Sequence, residues 1–374
     1  MRSESMIFTE NLQKLGTAFR QHGFQLRVVG GAVRDSMLGL EPKDIDLCTD
    51  ATPTEMIELV EDMGFAYIPT GLQHGTITII VNDEQFEVTT LRVDTETDGR
   101  HAVVEYTRDF QADAARRDLT INAMSMDFSG KIYDYFGGLG DLAAARVRFV
   151  GNPDERVKED YLRILRYFRF SARFGGLDLD QVKEITTREN LEGLKKISVE
   201  RYWLEMQKLV MLPFADDVLA CMYYTGVLNA LGLEKPNRSI GSIGVSPVGG
   251  LSTMITVNSI DSFLSKWKLS AVEEKHLSYL VMNRKKRNYW QNDLVDGIPL
   301  EWVLDLHNLS NEDQEIVYWM CNWKIPTFPV TGQDLLDLGF KSGKVLGDKL
   351  KALREEWKNS CFTLTKNDLL TNFN

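Results

Sequence analysis

Asp44 and Asp46, separated only by Ile45, set two carboxylates at the spacing that a β-strand projects from one face. Two like charges side by side call for a cation. Hard oxygen ligands on a rigid strand suit magnesium, which keeps part of its water shell and bridges substrate phosphates, and two such ions can clamp an in-line nucleotidyl displacement. Glu87, in Gln85-Phe86-Glu87-Val88, is the candidate third carboxylate. With Phe86 and Val88 turned to the core, it would share the metal face and help deprotonate an attacking hydroxyl. Upstream, an apolar run ends in Gly30-Gly31 and passes into Ala32-Val33-Arg34-Asp35. Paired glycines let the backbone approach a triphosphate, a helix start offers free N–H groups, and Arg34 adds charge-assisted hydrogen bonds. Gly31 and Arg34 are therefore candidate nucleotide-binding residues, although strand-Gly-Gly-helix taken alone is equally a tight turn.

These residues need a sheet to hold them. Period-2 and β-rich runs predict strands at 26–29, 44–48, 76–81, 85–91, 103–106, 123–127 and 146–150. Helices fill the gaps at 11–22, 33–37, 53–63 and 119–122. After about residue 140 the chain changes class and reads as helices: 155–174, 198–211, 214–231, 259–267, 271–284, 299–306, 313–323, 332–338 and 343–357. The stretch from Ser239 to Leu251, rich in Gly and Ser, reads as a loop or linker.

The chain has 374 residues, 43% of them hydrophobic and 26% charged, which is ordinary globular composition and more than one core usually serves. No run of apolar residues reaches the length of a membrane span, so a soluble, cytoplasmic protein without a membrane partner is expected. Four widely separated cysteines have no metal-type spacing and are expected to be buried thiols. With five histidines and no His-Asp doublet, an attached metal phosphohydrolase domain is not expected. The net charge of −11 excludes a protein whose whole surface binds nucleic acid, so clustered bases must carry any RNA contact. One cluster spans Arg156, Lys158, Arg163, Arg166, Arg169 and Arg173, opposed only by Glu159 and Asp160. The run from Arg284 to Arg287 is either an RNA contact or a solvated helix end.

The ordered set Val28-Val29-Gly30-Gly31-Ala32-Val33-Arg34-Asp35, then Asp44-x-Asp46, resembles the head of class II CCA-adding enzymes within the nucleotidyltransferase superfamily. Thr70-Gly71-x-x-His74-Gly75-Thr76 and Glu87-x-Thr89-Thr90-Leu91-Arg92 resemble the family's middle strands, and Asp98-Gly99-Arg100-His101 its flexible loop. Arg116-Arg117-Asp118-Leu119-Thr120-Ile121-Asn122-Ala123 resembles its ribose-discriminating motif, Asp134-Tyr135-Phe136-Gly137-Gly138 with Asp141-Leu142 its hinge, and Glu159-Asp160-x-x-Arg163 its nucleotide-selecting motif. Ile197-Ser198-x-Glu200-Arg201 with Glu205, and Thr331-Gly332-x-Asp334-Leu335 with Leu338-Gly339, resemble segments further on, while residues 236–325 match none.

The resemblance implies an α+β chain: a mixed β-sheet head with flanking helices at residues 1–145, then an all-α neck at 146–197, body at 198–270 and tRNA-binding tail at 271–374. It implies CTP and ATP as substrates, tRNA as partner, two magnesium ions on Asp44 and Asp46, and Arg117, Asp118 and Asn122 orienting sugar and phosphates. Arg166 and Arg169 are implied contacts to base or triphosphate. An enzyme that works without a template must read the base itself. At i, i+3 on one helix face, Asp160 and Arg163 would present an acceptor beside donors. That pattern complements the edges of cytosine and adenine and leaves uracil and guanine unpaired, at roughly 1 to 3 kcal/mol for each lost partner. The rival readings are a poly(A) polymerase or a partial CC- or A-adding enzyme of the same family, and a non-catalytic tRNA-binding protein.

Overall fold

The computed structural model describes residues 7–97, 102–240, 245–284, 290–310 and 314–371. Among these, nine strands are β1 (Leu26–Val29), β2 (Asp46–Thr49), β3 (Ala66–Gly71), β4 (Thr76–Val81), β5 (Glu84–Thr90), β6 (Arg92–Thr97), β7 (Ala102–Tyr106), β8 (Ser125–Met126) and β9 (Ile132–Tyr133). Seven form one mixed sheet in the order β3-β4-β5-β2-β1-β8-β9, and β6 and β7 pair separately. Only β2 and β5 run parallel, with Asp46 opposite Glu87 and Leu47 opposite Val88. Flanking it are α1 (Glu10–Gln21), α2 (Gly31–Met37), α3 (Pro53–Asp62), α4 (Phe110–Ala115) and α5 (Gly138–Ala143). Local chemistry fixes the helix starts. Thr9 caps α1 by accepting from Leu12 N at 3.1 Å, and Thr52 with Glu55 closes a capping box on α3 behind Pro53.

The following helices are α6 (Pro153–Glu159), α7 (Leu162–Phe174), α8 (Leu179–Ile185), α9 (Arg188–Leu194), α10 (Val199–Leu209), α11 (Ala215–Tyr224), α12 (Val227–Ala230), α13 (Pro247–Ser252) and α14 (Ile260–Leu264). The remainder are α15 (Ala271–Asn283), α16 (Trp290–Val295), α17 (Leu300–Leu309), α18 (Gln314–Asn322), α19 (Gly332–Asp337), α20 (Lys344–Asn359) and α21 (Lys366–Thr371). The α+β class and the change to helices are as expected. The chain divides into two compact units, residues 1–242 with 253–270, and residues 243–252 with 271–374. In the first, α7 buries Ile164, Leu165, Tyr167, Phe168 and Phe170 and packs on α10 and α11. In the second, Val330, Leu335, Leu353, Trp357 and Leu369 form a core under α19 to α21.

Several expectations are corrected. The single helix at 155–174 is two, because Asp160 is extended at φ −153° and the Tyr161 ring seats over Gly193 of α9. The helix at 214–231 breaks at Gly226, where φ is +83°. Residues 146–150 contribute one bridge, Leu119 to Phe149, instead of a strand. The Gly/Ser stretch is not all loop: α13 buries Val248 and Leu251 within the second unit. The four cysteines are free, but only Cys48 is buried, which pushes its thiol up to about 12, while Cys321 and Cys361 are exposed. No helix among the described residues is long and apolar enough to cross a membrane.

Candidate active site

Gly30 turns the end of β1 into α2 at φ +67°, and a Cβ there would stand 3.1 Å from an Arg117 guanidinium nitrogen. Beyond the turn opens a cavity of about 350 Å³ lined by Gly30, Gly31, Arg34, Asp46, Arg116, Arg117, Asp118, Asn122, Asp160, Arg163, Arg166 and Phe170. Asp46 also walls two neighbouring cavities of about 660 Å³. One holds Asp44 and Glu87, and the other Asp44, Arg169, Arg173 and Lys208. All the residues expected from sequence thus line one of three cavities that have Asp46 in common.

The acids are not arranged as the strand spacing predicted. β2 begins at Asp46, and Asp44 lies in the bend before it, so pleating does not align the two. Asp46 and Glu87 are instead brought abreast by register across β2 and β5. The carboxylates of Asp44, Asp46 and Glu87 have no hydrogen-bond or ion-pair partner among the described residues. Partial desolvation raises the Asp46 pKa; Arg117 opposes the shift and Asp44 adds to it. No three His, Cys, Asp or Glu among the described residues converge as a closed metal cluster. The donor set still fits magnesium, which takes one or two carboxylates and leaves its other positions to water and phosphate.

The basic wall is built differently. Arg34 makes a bidentate contact to Asp35 at 2.9 and 3.0 Å and donates to Asn122 Oδ1 at 2.5 Å. Arg173 donates to the same Asp35 at 2.9 Å. Asp113, buried on α4, holds Arg116 at 2.8 Å and Arg117 at 3.3 Å. Asp118 accepts from Leu119 N at 2.8 Å, Asn122 Nδ2 at 3.2 Å and Arg166 Nε at 2.6 Å. Burial alone would raise the Asp118 pKa, but the Arg166 charge and these hydrogen bonds overcome it and hold it below its usual value. Burial likewise works against the charge of Arg166, and Asp118 with Glu205 outweighs it. Arg169 lies 2.6 Å from Glu205 in an ion pair whose geometry is not that of a hydrogen bond, and there burial prevails and lowers its pKa.

Asp160 and Arg163 line the same cavity but do not share a helix face, which corrects the single face expected from their i, i+3 spacing. Asp160 sits at the break before α7, accepts from Leu162 N at 3.1 Å, and is held by Arg201 of α10 at 2.6 Å. Arg163 is tied to Glu159 at 2.5 Å and to the Arg116 carbonyl at 3.1 Å. Sequence reasoning overlooked Asp113 and gave Arg116 no role of its own beside Arg117 and Asp118. The i, i+3 and i, i+4 spacing of Asp113 to Arg116 and Arg117 was the available signal. It also passed over Phe170, whose ring Arg34, Arg169 and Arg166 surround at 5.0, 4.3 and 5.9 Å from its centroid. The loop at 98–101 lies outside the described residues.

A mixed sheet that carries acids at the mouth of an arginine-walled cavity defines the class of nucleotidyl-transfer heads, and residues 26–148 match the family described as the Poly A polymerase head domain. Over 98% of its length the chain is 38% identical to the human "CCA tRNA nucleotidyltransferase 1, mitochondrial", covering 90% of that protein. It is 34% identical to the "CCA-adding enzyme" of Bacillus velezensis, across 89% of both chains. A solved CCA-adding enzyme of Bacillus stearothermophilus in complex with CTP superposes with a TM-score of 0.75 at 27% identity, over 94% of each chain. The chain belongs to the CCA-adding tRNA nucleotidyltransferase family. Similarity over 98% of the chain extends through residues 236–325, which no short motif had placed.

Proposed function

We propose that this chain adds C, C and A in turn to the 3′ end of tRNA, using CTP and ATP and no nucleic-acid template. The observation that carries the reading is the position of Asp46 as the common wall of an acidic and an arginine-rich cavity. The similarity to CCA-adding relatives over nearly the whole chain supports it. In this reading the nucleotide lies in the cavity of Gly31, Arg34, Arg117, Asp118, Asn122, Asp160, Arg163 and Arg166, with Arg169 beside it. Asp44 and Asp46 would hold two magnesium ions, which when bound supply Lewis-acid stabilisation of phosphoryl charge. The tRNA 3′-oxygen attacks the α-phosphorus of CTP or ATP, its proton passes to a base for which Glu87 is placed, and the bond to pyrophosphate breaks. Arginines held in place by their ion pairs would stabilise negative charge at the reacting phosphates without rearranging.

Residues 1–145 act as catalytic head, 146–197 as the neck that carries base selection, 198–270 as body, and 271–374 as the tail that holds tRNA. A cytoplasmic site of action is part of the proposal, and fractionation of the source cells tests it against the mitochondrial name of the human relative. The decisive assay incubates the protein and magnesium with labelled CTP or ATP and tRNAs lacking CCA, CA or only A. Sequential addition of C, C and A is expected. Long A tails would make it a poly(A) polymerase, stalling after CC a partial enzyme, and no incorporation a binding protein.

A further inference from the structure

The second unit contains a cavity of about 610 Å³ whose lining mixes aromatic rings with amide side chains. Trp323 and Phe362 form one side, their ring centroids 5.6 Å apart at 52°. Trp290 braces the Trp323 ring edge-on at 5.2 Å, so the indole cannot swing away. Phe362 is held with φ at +64°, an uncommon conformation for an aromatic residue, by its N–H donating to the Trp357 carbonyl at 3.0 Å. Around these rings stand Gln291, Asn292 and Asn359, and none of the three amide side chains has a hydrogen-bond partner among the described residues. Lys358, the one charged lining residue, is already committed to Asp296 at 2.8 Å and Glu355 at 2.7 Å.

Unspent amides offer donors and acceptors together on neutral groups, and the rings offer flat apolar surface. With its lysine neutralised, the cavity has no charge to hold a phosphate. We infer that this cavity binds a nucleobase, stacked against Trp323 and Phe362 and hydrogen-bonded along its edge by Gln291, Asn292 and Asn359. It would take the base of a free nucleoside or an unstacked base of bound RNA, and its expected ligand, though not its geometry, rests on the nucleotide and tRNA chemistry proposed above. It differs from the head cavity in holding neutral amides where the head holds arginines.

The test titrates the full-length protein with adenosine and with cytidine by calorimetry while CTP saturates the head. A second binding event is expected, weakened about tenfold in Asn359→Ala, which removes an exposed amide with no structural bond. Trp323→Phe, which keeps an aromatic brace, should weaken it also. A second arm measures tRNA affinity in the same variants and maps photocrosslinks from tRNA onto Trp323. A nucleoside event lost in the variants identifies a free-nucleoside site, and an affinity loss with a crosslink at Trp323 identifies an RNA base. No nucleoside event together with unchanged tRNA affinity overturns the inference. Transfer of CMP and AMP by the unaltered protein is assayed separately, so a failed transfer reaction with intact nucleoside binding would count only against the proposed activity.

Discussion

Asp46 and Glu87 stand abreast on the only parallel strand pair of the main sheet among the described residues, so backbone register and not sequence proximity brings these two acids together. Asp44 joins them from the bend before β2 and lines the same cavity. The arrangement assigns unequal roles. Asp46 faces all three cavities and bears the raised pKa, whereas Glu87 reaches only the acidic one.

Asp46→Asn should therefore lower transfer by at least about 10³-fold, the several kcal/mol that a Lewis-acid ion supplies to phosphoryl transfer. Glu87→Gln should cost less and act mainly on the pH dependence of the rate. Single-turnover incorporation of labelled CMP measures both, with tRNA affinity checked in parallel. Residual Asp46→Asn turnover within tenfold of the unaltered protein would remove this acid from the chemistry.

Asp118 carries a stability prediction with a definite sign. Its carboxyl is held below the ordinary value of 3.8 in the folded chain, so its contribution is complete above about pH 5 and is lost as pH falls through and below 3.8. About 34% of the Arg166 side chain remains in water, so the pair is discounted from its buried worth to about 1–2 kcal/mol. Urea unfolding of Asp118→Asn against the parent should show that deficit at pH 7 and a smaller one near pH 3. A deficit that does not change with pH would show that the Asp118 charge is not what stabilises.

How much of this was legible beforehand depended on whether the determinant was local. β1 and β4 fall where alternation and flanking turns put them, and the burial of Phe86 and Val88 with Glu87 outward follows the strand period. The residues of the arginine cavity came from short motifs, since each motif packs its own chemistry. What escaped was set by partners remote in sequence. Nothing between residues 155 and 174 announces that Tyr161 will seat over Gly193 and Arg201 will take Asp160, yet those contacts accompany the break at Asp160 that ends α6 before α7. The two-residue strand β9 is too short for a periodic signal, and α13 hides in a Gly/Ser-rich run because its apolar residues are buried by tertiary packing.

Gly138 supports the nucleotide wall from behind. A Cβ at this position would lie 2.3 Å from the Thr120 carbonyl oxygen, in the turn that carries Asn122. Thr120 also donates to Asp141 at 2.6 Å, and Arg148 holds that same carboxylate, so the turn has little freedom to yield. Gly138→Ala should cost about 1–3 kcal/mol by overpacking and raise KM for CTP and ATP together. Thermal melting and steady-state kinetics check it. An unchanged Tm would show that the turn accommodates the methyl group.

Asp160 and Arg163 supply the sharpest test of selectivity, because each side chain is anchored by different partners and neither side chain holds the other. Arg201 and the Leu162 N–H fix the Asp160 carboxylate, and Glu159 with two backbone carbonyls fixes the Arg163 guanidinium. If an acceptor from one and donors from the other read the base edge, removing either group should relieve the unpaired-group penalty against UTP and GTP as well as weaken CTP and ATP. Asp160→Ala or Arg163→Ala should then narrow the CTP-over-UTP ratio in kcat/KM by about ten- to a hundredfold. Arg201→Ala, which touches only the anchor, should narrow it in the same direction through a mispositioned carboxylate. Competition assays with paired nucleotides measure the ratio directly. A ratio that survives Asp160→Ala while overall turnover falls would assign Asp160 to holding the α6–α7 break and leave base reading to other groups in the cavity.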